Sequence, residues 1–194
     1  YFFSKDEESF NKVNFPYINV NEKICSKVKS TYSSQNKVIV GISWTSKNEE
    51  FGQNKSINLK SFLPILKLNN LTFLDLEYKN SDQDRNNLFE NTGLEIQKFK
   101  GIDYYNDIID VASIIDSCDL IITCSNVNAH ISGALGKKTF LLLPLGKGRL
   151  WNWNAEENKS IWYPSVKIFQ QTEYNDWTDP IKNIKMDILS LFGN

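Results

Sequence analysis

Three features of the sequence predict an α/β domain built on a parallel sheet. Short runs such as Val38-Ile39-Val40-Gly41-Ile42-Ser43 and Leu120-Ile121-Ile122-Thr123 are apolar and β-branched without alternation, the pattern of strands covered on both faces. Segments with helical spacing separate these runs, and repeated strand–helix alternation wraps helices over both faces of a parallel sheet. The chain has 194 residues, 41% hydrophobic and 23% charged, enough to bury a core without disulfide or metal staples. The fold class that follows is a three-layer, Rossmann-like, doubly wound parallel sheet of about six strands in a single domain.

Residues 1–19 mix aromatic, charged and Phe15-Pro16-Tyr17 stretches and read as a linker or lead-in; residues 20–194 form the domain. Val20 to Tyr32 predicts a helix through Val20, Ile24 and Val28, ended by Ser33-Ser34-Gln35-Asn36. Val38 to Ser43 is the first strand. Asn58 to Leu68 is amphipathic, with Leu59, Phe62, Leu63, Ile65 and Leu66 inward and Asn58 as N-cap. Thr72 to Leu76 is the second strand, Asp82 to Glu90 a short helix, and Leu94-Glu95-Ile96 the third strand. Asp107 to Ser117 is helical, with Ile108, Ile109, Ala112 and Ile115 on one side. Leu120 to Thr123 is the fourth strand, followed by a helix from Asn126 to Leu135 that Gly136 stops. Thr139 to Pro144 and Val166 to Phe169 complete the strands. Ile181 to Phe192 closes the chain as a helix with Ile184, Ile188 and Leu191 inward.

Charge and cysteine usage remove several function classes. Lys and Arg total 22 against 23 Asp and Glu, a formal net charge of −1, which leaves no electrostatic footprint for nucleic acid. A local phosphate site needs only a few donors and stays open. Cys25, Cys118 and Cys124 are an odd number without metal spacing, and His130 is the one histidine, so neither a metal site nor a disulfide framework is expected. No apolar run approaches the roughly 18 residues of a membrane span. The chain opens at Tyr1 without Met or a cationic, apolar leader, which predicts a cytoplasmic location and a piece of something longer.

Doubly wound sheets bind ligands beyond the carboxyl ends of their strands, so chemistry is expected in the loops there. The strongest feature is Cys124-Ser125-Asn126-Val127, which runs from a buried strand straight into a helix. The first turn of that helix, at Val127, offers unpaired N–H groups and the positive dipole end to an anion. Ser125 and Asn126 can cap the helix or donate to a phosphate oxygen. His130, one turn in, faces either the sheet or the cleft. Ser43, Thr45, Ser46 and Lys47 leave the end of the first strand, without a phosphate-loop or dinucleotide glycine motif. Gly146-Lys147-Gly148 reads as a mobile cationic loop able to close on an anion. Trp151, Trp153 and Trp162 anchor the long 144–165 loop or form a platform for a sugar or base. Nucleophilic Ser- or Cys-His catalysis is poorly supported, because no G-x-S-x-G elbow is present.

These residues, in this order, resemble the C-terminal half of GT-B glycosyltransferases of the heptosyltransferase-like group, and especially versions fused behind tetratricopeptide repeats in bacterial proteins. The resemblance is carried by Phe15-Pro16-Tyr17, by Val40-Gly41-Ile42-Ser43-Trp44 with Ser56-Ile57-Asn58-Leu59, and by Ile109-Asp110-Val111-Ala112 with Cys118-Asp119-Leu120-Ile121. The most specific patch is Ala129-His130-Ile131-Ser132-Gly133-Ala134-Leu135-Gly136-Lys137, and Trp162-Tyr163-Pro164-Ser165 with Asp176-Trp177 is the last.

The resemblance implies a domain that binds a nucleotide-diphosphate sugar as donor substrate, with no separate cofactor. In the family a polar pair at the strand–helix junction holds the diphosphate and a helix His follows; these map onto Ser125, Asn126 and His130. The family commonly has Asp then Thr or Ser at that junction, and Arg after the Trp of the first strand, where this chain has Thr45 and then Lys47. Lys47 and Lys147 are the expected phosphate cations. Base and ribose fall to Glu77-Tyr78 and Gly101-Ile102-Asp103, with Asp110 at a helix start. A complete enzyme of this type needs an N-terminal Rossmann-like half bearing the acceptor site, so the chain is expected to be the donor-binding half, incomplete as an enzyme by itself, and no catalytic residue is assigned. The missing carboxylate and Arg sustain an alternative, a degenerate, non-catalytic GT-B-like binding or scaffold domain.

Overall fold

The computed structural model describes residues 14–32, 37–153 and 158–193. The start of the lead-in and the expected helix break at 33–36 lie outside them. The described elements run α1 (Glu22–Tyr32), β1 (Val38–Ser43), α2 (Gly52–Lys55), a 3-10 turn (Leu59–Phe62), α3 (Leu63–Leu66), β2 (Leu71–Asp75), α4 (Asp82–Thr92), α5 (Ile108–Ser117), β3 (Leu120–Cys124), α6 (Val127–Ala134), β4 (Thr139–Leu143), β5 (Val166–Gln170) and α7 (Thr178–Phe192). All strand pairs are parallel, in the order β2-β1-β3-β4-β5.

Helices cover both faces, because alternate residues of each buried strand need an apolar partner on opposite sides. Val40, Ile42, Leu120 and Ile122 join Phe62, Ile65, Ile184 and Ile188 in one cluster beneath α3, α4 and α7. Ile39, Leu74 and Ile121 join Val28, Val111, Ala112 and Ile115 beneath α1 and α5 on the other face. The lead-in from residue 14 is tied to this second face: the Tyr17 N–H donates to the Ala134 carbonyl at 3.1 Å, and the Asn21 N–H to Ser113 Oγ at 2.7 Å.

The sheet has five strands where about six were expected. Leu94-Glu95-Ile96 forms no strand; the segment reduces to one parallel bridge between Leu74 and Gln97. Gln97 donates its N–H to the Phe73 carbonyl and accepts from the Asp75 N–H, after which Lys98 turns inward to the buried Asp75 carboxylate at 3.3 Å and ends the pairing. At the opposite edge, Lys159 bridges antiparallel to Lys167 of β5.

Three helix expectations also change. Asn58 is an N-cap, accepting from the Lys60 N–H at 2.9 Å, but of a 3-10 turn. Pro64 lacks the N–H needed to continue the ladder, so α3 starts afresh there. Ile108 and Ile109 are exposed, because α5 begins beyond the rim of the sheet, and Val111, Ala112, Ile114 and Ile115 form its inner face. Leu191 is exposed as well, and the last turn of α7 sets Phe192 against the core instead.

Gly41 in β1 is a packing requirement. A Cβ there would lie 2.6 Å from Leu76 Cδ1 and 2.8 Å from Ile121 Cδ1, inside a close-packed layer. Gly41→Ala is expected to cost about 1–3 kcal/mol of stability, read as a lowered Tm in thermal unfolding.

Candidate functional site

Strand order reverses between β1 and β3, which leaves a crevice at their carboxyl ends, where doubly wound sheets take their ligands. Side chains lace this crevice together. Asn126 caps α6, its Oδ1 accepting from the Asn128 N–H at 3.0 Å. Its Nδ2 donates to Ser43 Oγ at 3.1 Å and to the Thr45 carbonyl at 3.0 Å, which ties α6 to the end of β1. Ser43 Oγ and Thr123 Oγ1 lie 2.6 Å apart across the two strands. The Asn126 amide accepts at the helix and donates to a carbonyl at once, while the position where the resemblance expects a carboxylate is Ser125, one residue earlier.

Glu77, just past β2, is fully buried and turned toward β1. Its Oε1 accepts from the N–H groups of Trp44 at 2.6 Å and Thr45 at 2.8 Å, and its Oε2 from the Thr45 hydroxyl. Burial pushes this carboxyl above the usual range, and the three donors pull it back. Asn128 completes the lacing by donating to the Leu76 carbonyl at 2.9 Å.

Beside the first turn of α6 lies a cleft of about 240 Å³, lined by Lys47, Tyr78, Tyr104, Tyr105, Asn126 and Val127 among others. The Lys47 N–H donates to the Tyr78 hydroxyl at 2.6 Å, and its ammonium lies 5.6 Å from the Tyr78 ring centre and 5.4 Å from that of Tyr105. Larger hollows exist elsewhere, one of about 610 Å³ beside Lys138, Ser165 and Lys167, but it sits at the amino ends of β4 and β5, away from the crevice.

Lys55, at the end of α2, is the functional candidate that sequence reasoning missed. It is 3% exposed, and its ammonium has no hydrogen bond or ion pair with any described residue. Burial lowers its pKa, and its charge acts on Cys124 and His130, which places it beside the β3–α6 junction. A lysine charge near the first turn of a helix adds to the attraction that turn holds for an anion. Nothing local in Gln53-Asn54-Lys55-Ser56 signals burial; only the fold brings it here.

The long loop reaches the same junction from the β4 side. Trp153 is 1% exposed, and its Nε1 donates to Ser125 Oγ at 2.9 Å. His130 faces neither the sheet nor the tyrosine cleft. Its ring stacks on Trp153 at 5.0 Å, and its Nδ1 lies 3.2 Å from the Tyr163 hydroxyl. Burial and the Lys55 charge both lower the His130 pKa, so the imidazole is neutral at pH 7. Trp151, at 85% exposure, and Trp162 are on the surface with rings 6.5 Å apart, so Trp153 alone is the anchor of the three.

Three further sequence candidates lie outside this assembly. Lys147 is exposed on its loop. Asp103 caps the turn before α5, accepting from Asn106 Nδ2 at 2.7 Å and from the Tyr105 N–H at 2.8 Å, which hold its carboxyl below the usual range. Asp110 accepts from Asn21 Nδ2 at 3.2 Å and so fastens the lead-in.

No family model matches the chain. It is 32% identical over 114 residues to protein FlbA of Caulobacter vibrioides, a match covering 59% of this chain and 18% of that protein. Its fold is similar to E. coli ADP-heptose lipopolysaccharide heptosyltransferase II, with a TM-score of 0.64 and 13% identity over 92% of this chain and 54% of that one. A glycosyltransferase of family 9 from Veillonella parvula gives 0.56 at 11% identity, covering 79% of this chain and 42% of its own. The E. coli heptosyltransferase WaaC with ADP also gives 0.56, at 8% identity over 92% and 52%. The chain thus spans less than a fifth of its sequence relative and about half of these structures, and what they share with it is the Rossmann-like glycosyltransferase fold.

Two measurements check this geometry. Asn126→Asp replaces the donor to the Thr45 carbonyl by a repelling carboxylate and is expected to cost about 1–3 kcal/mol in denaturant unfolding. His130 carries a depressed pKa in the folded state, so its contribution is present above its unfolded value near 6.5 and is lost as pH falls below it. The stability difference between wild type and His130→Asn is therefore expected to shrink between pH 7.5 and 5.5; a difference that grows on acidification contradicts the assignment.

Proposed function

We propose that this chain is the donor-binding half of a glycosyltransferase, taking the diphosphate of a nucleotide-diphosphate sugar at the β3–α6 junction. The observation that carries this reading is the β3–α6 junction, where the first turn of a capped helix opens at the strand-order switch with the Lys55 charge acting on its neighbours Cys124 and His130. Helix amides, the dipole and the lysine all favour negative charge at one place. The tyrosine cleft adjoins it and suits a base and ribose, with Tyr78 and Tyr105 as stacking surfaces and Lys47 at the mouth. One of the similar structures is described with ADP, which agrees in ligand class.

In this reading the chain positions the donor and stabilises the departing diphosphate through N–H groups and ammonium ions. Lys147, on its loop, supplies a second cation when that loop approaches. The acceptor and the general base belong to a second Rossmann-like half, in a parent chain that also accommodates tetratricopeptide repeats. Glu77, Asp103 and Asp110 have their carboxylates engaged within the chain, so they contribute to donor binding through the backbone they hold.

One observation favours a second reading, a non-catalytic binding or scaffold domain: the Asn126 amide, at the position of a family diphosphate ligand, is fully engaged in holding the fold.

Calorimetric titration with ADP, UDP, GDP and their sugars separates the two. Saturation near 100 Kd is expected to add roughly 2.7 kcal/mol of stability. Lys55→Met is expected to weaken binding at least about tenfold while leaving the Tm of the unliganded chain close to that of wild type, since it removes the charge and keeps most of the apolar stem. Absence of any response, in this chain and in a longer parent, supports the scaffold reading.

A further inference from the structure

We propose that Trp153 is a positioning residue for the diphosphate: by donating its indole N–H to Ser125 Oγ, it leaves the seryl proton as the group presented to the anion. This rests on the donor-binding reading above. A hydroxyl has one proton and two lone pairs. The bond from Trp153 Nε1, at 2.9 Å, occupies a lone pair of Ser125 Oγ, and no described residue accepts the seryl proton. Ser125 is 3% exposed and directly precedes the capped end of α6, so this unmatched donor sits at the helix start, next to Cys124, on which the Lys55 charge acts. An acceptor arriving there is an anion's oxygen. The indole and the anion do not compete, because one uses the oxygen's lone pair and the other its proton.

The indole is held by a built support. His130 stacks on it at 5.0 Å with 27° between planes, and Tyr163 lies against it at 6.1 Å. Tyr163 in turn sits 3.2 Å from His130 Nδ1 and against Gly133, where a Cβ would meet its ring at 2.3 Å. His130 and Gly133 lie within one turn of each other on α6, and Ser125 directly precedes its N-cap, so one segment carries the hydroxyl and braces the ring that orients it. A phenylalanine would fill the same space without the N–H, and it separates packing from orientation.

The test is a double-mutant cycle on the 194-residue chain, titrating ADP, UDP and GDP. Trp153→Phe is expected to keep the Tm of the unliganded chain within a few degrees of wild type and to raise Kd roughly fivefold to tenfold. Ser125→Ala is expected to show a similar loss, with no further loss on adding Trp153→Phe. Ser125→Thr, which retains a hydroxyl, restores the dependence on Trp153. Equal losses in the presence and absence of the hydroxyl would assign the effect to packing and overturn the proposal, as would unchanged or tighter binding by Trp153→Phe. Wild-type chain that binds none of the nucleotides overturns the donor-binding reading and this proposal with it, whereas wild-type binding that Trp153→Phe leaves intact overturns this proposal alone.

Discussion

A parallel sheet ends in a row of unpaired peptide groups, and the structure depends on how this chain satisfies them at one end. Where β1, β2 and β3 finish, Asn126, Asn128 and Glu77 supply the partners that further strand would have supplied. Each bridges elements distant in sequence, and each is buried, so removing one leaves an orphan donor or acceptor away from water. The backbone at the crevice is thereby fixed before any ligand arrives, which is the condition under which helix amides act on a charge without reorganising.

Charge is arranged around that frame by burial. Glu77 is enclosed with three donors aimed at it, so its negative charge is matched within the protein. Lys55 is a buried residue whose pKa burial lowers and whose charge acts on Cys124 and His130. Burial disfavours the charged form of both groups, and perturbed groups of this kind gather at active and binding sites.

Much of the frame was legible in the sequence because buried parallel strands leave unalternated apolar runs, and β1, β3 and β4 fall where those runs are. The β3–α6 junction was legible because strand, short polar pair and helix follow without a break. Leu94–Ile96 misled because three residues of strand-like composition carry no information on whether the next side chain, Lys98, is drawn away by Asp75. Ile108, Ile109 and Leu191 misled because helical periodicity does not say where the sheet beneath stops. Lys55 and the inward turn of Glu77 were illegible for a related reason: burial of a charge is decided by segments dozens of residues away. The identity of Asn126 was readable, but its double duty as cap and clamp required the end of β1 to be in place.

The borders of the sheet carry a further consequence. Gln97 closes the β2 side and Lys159 closes the β5 side, each through a single bridge. Each bridge occupies part of an edge that would otherwise be open to another strand, the usual route by which sheets fuse or aggregate. The open apolar surface lies elsewhere, at the loops and helix starts around Val127 and Tyr105, whose side chains stand in solvent.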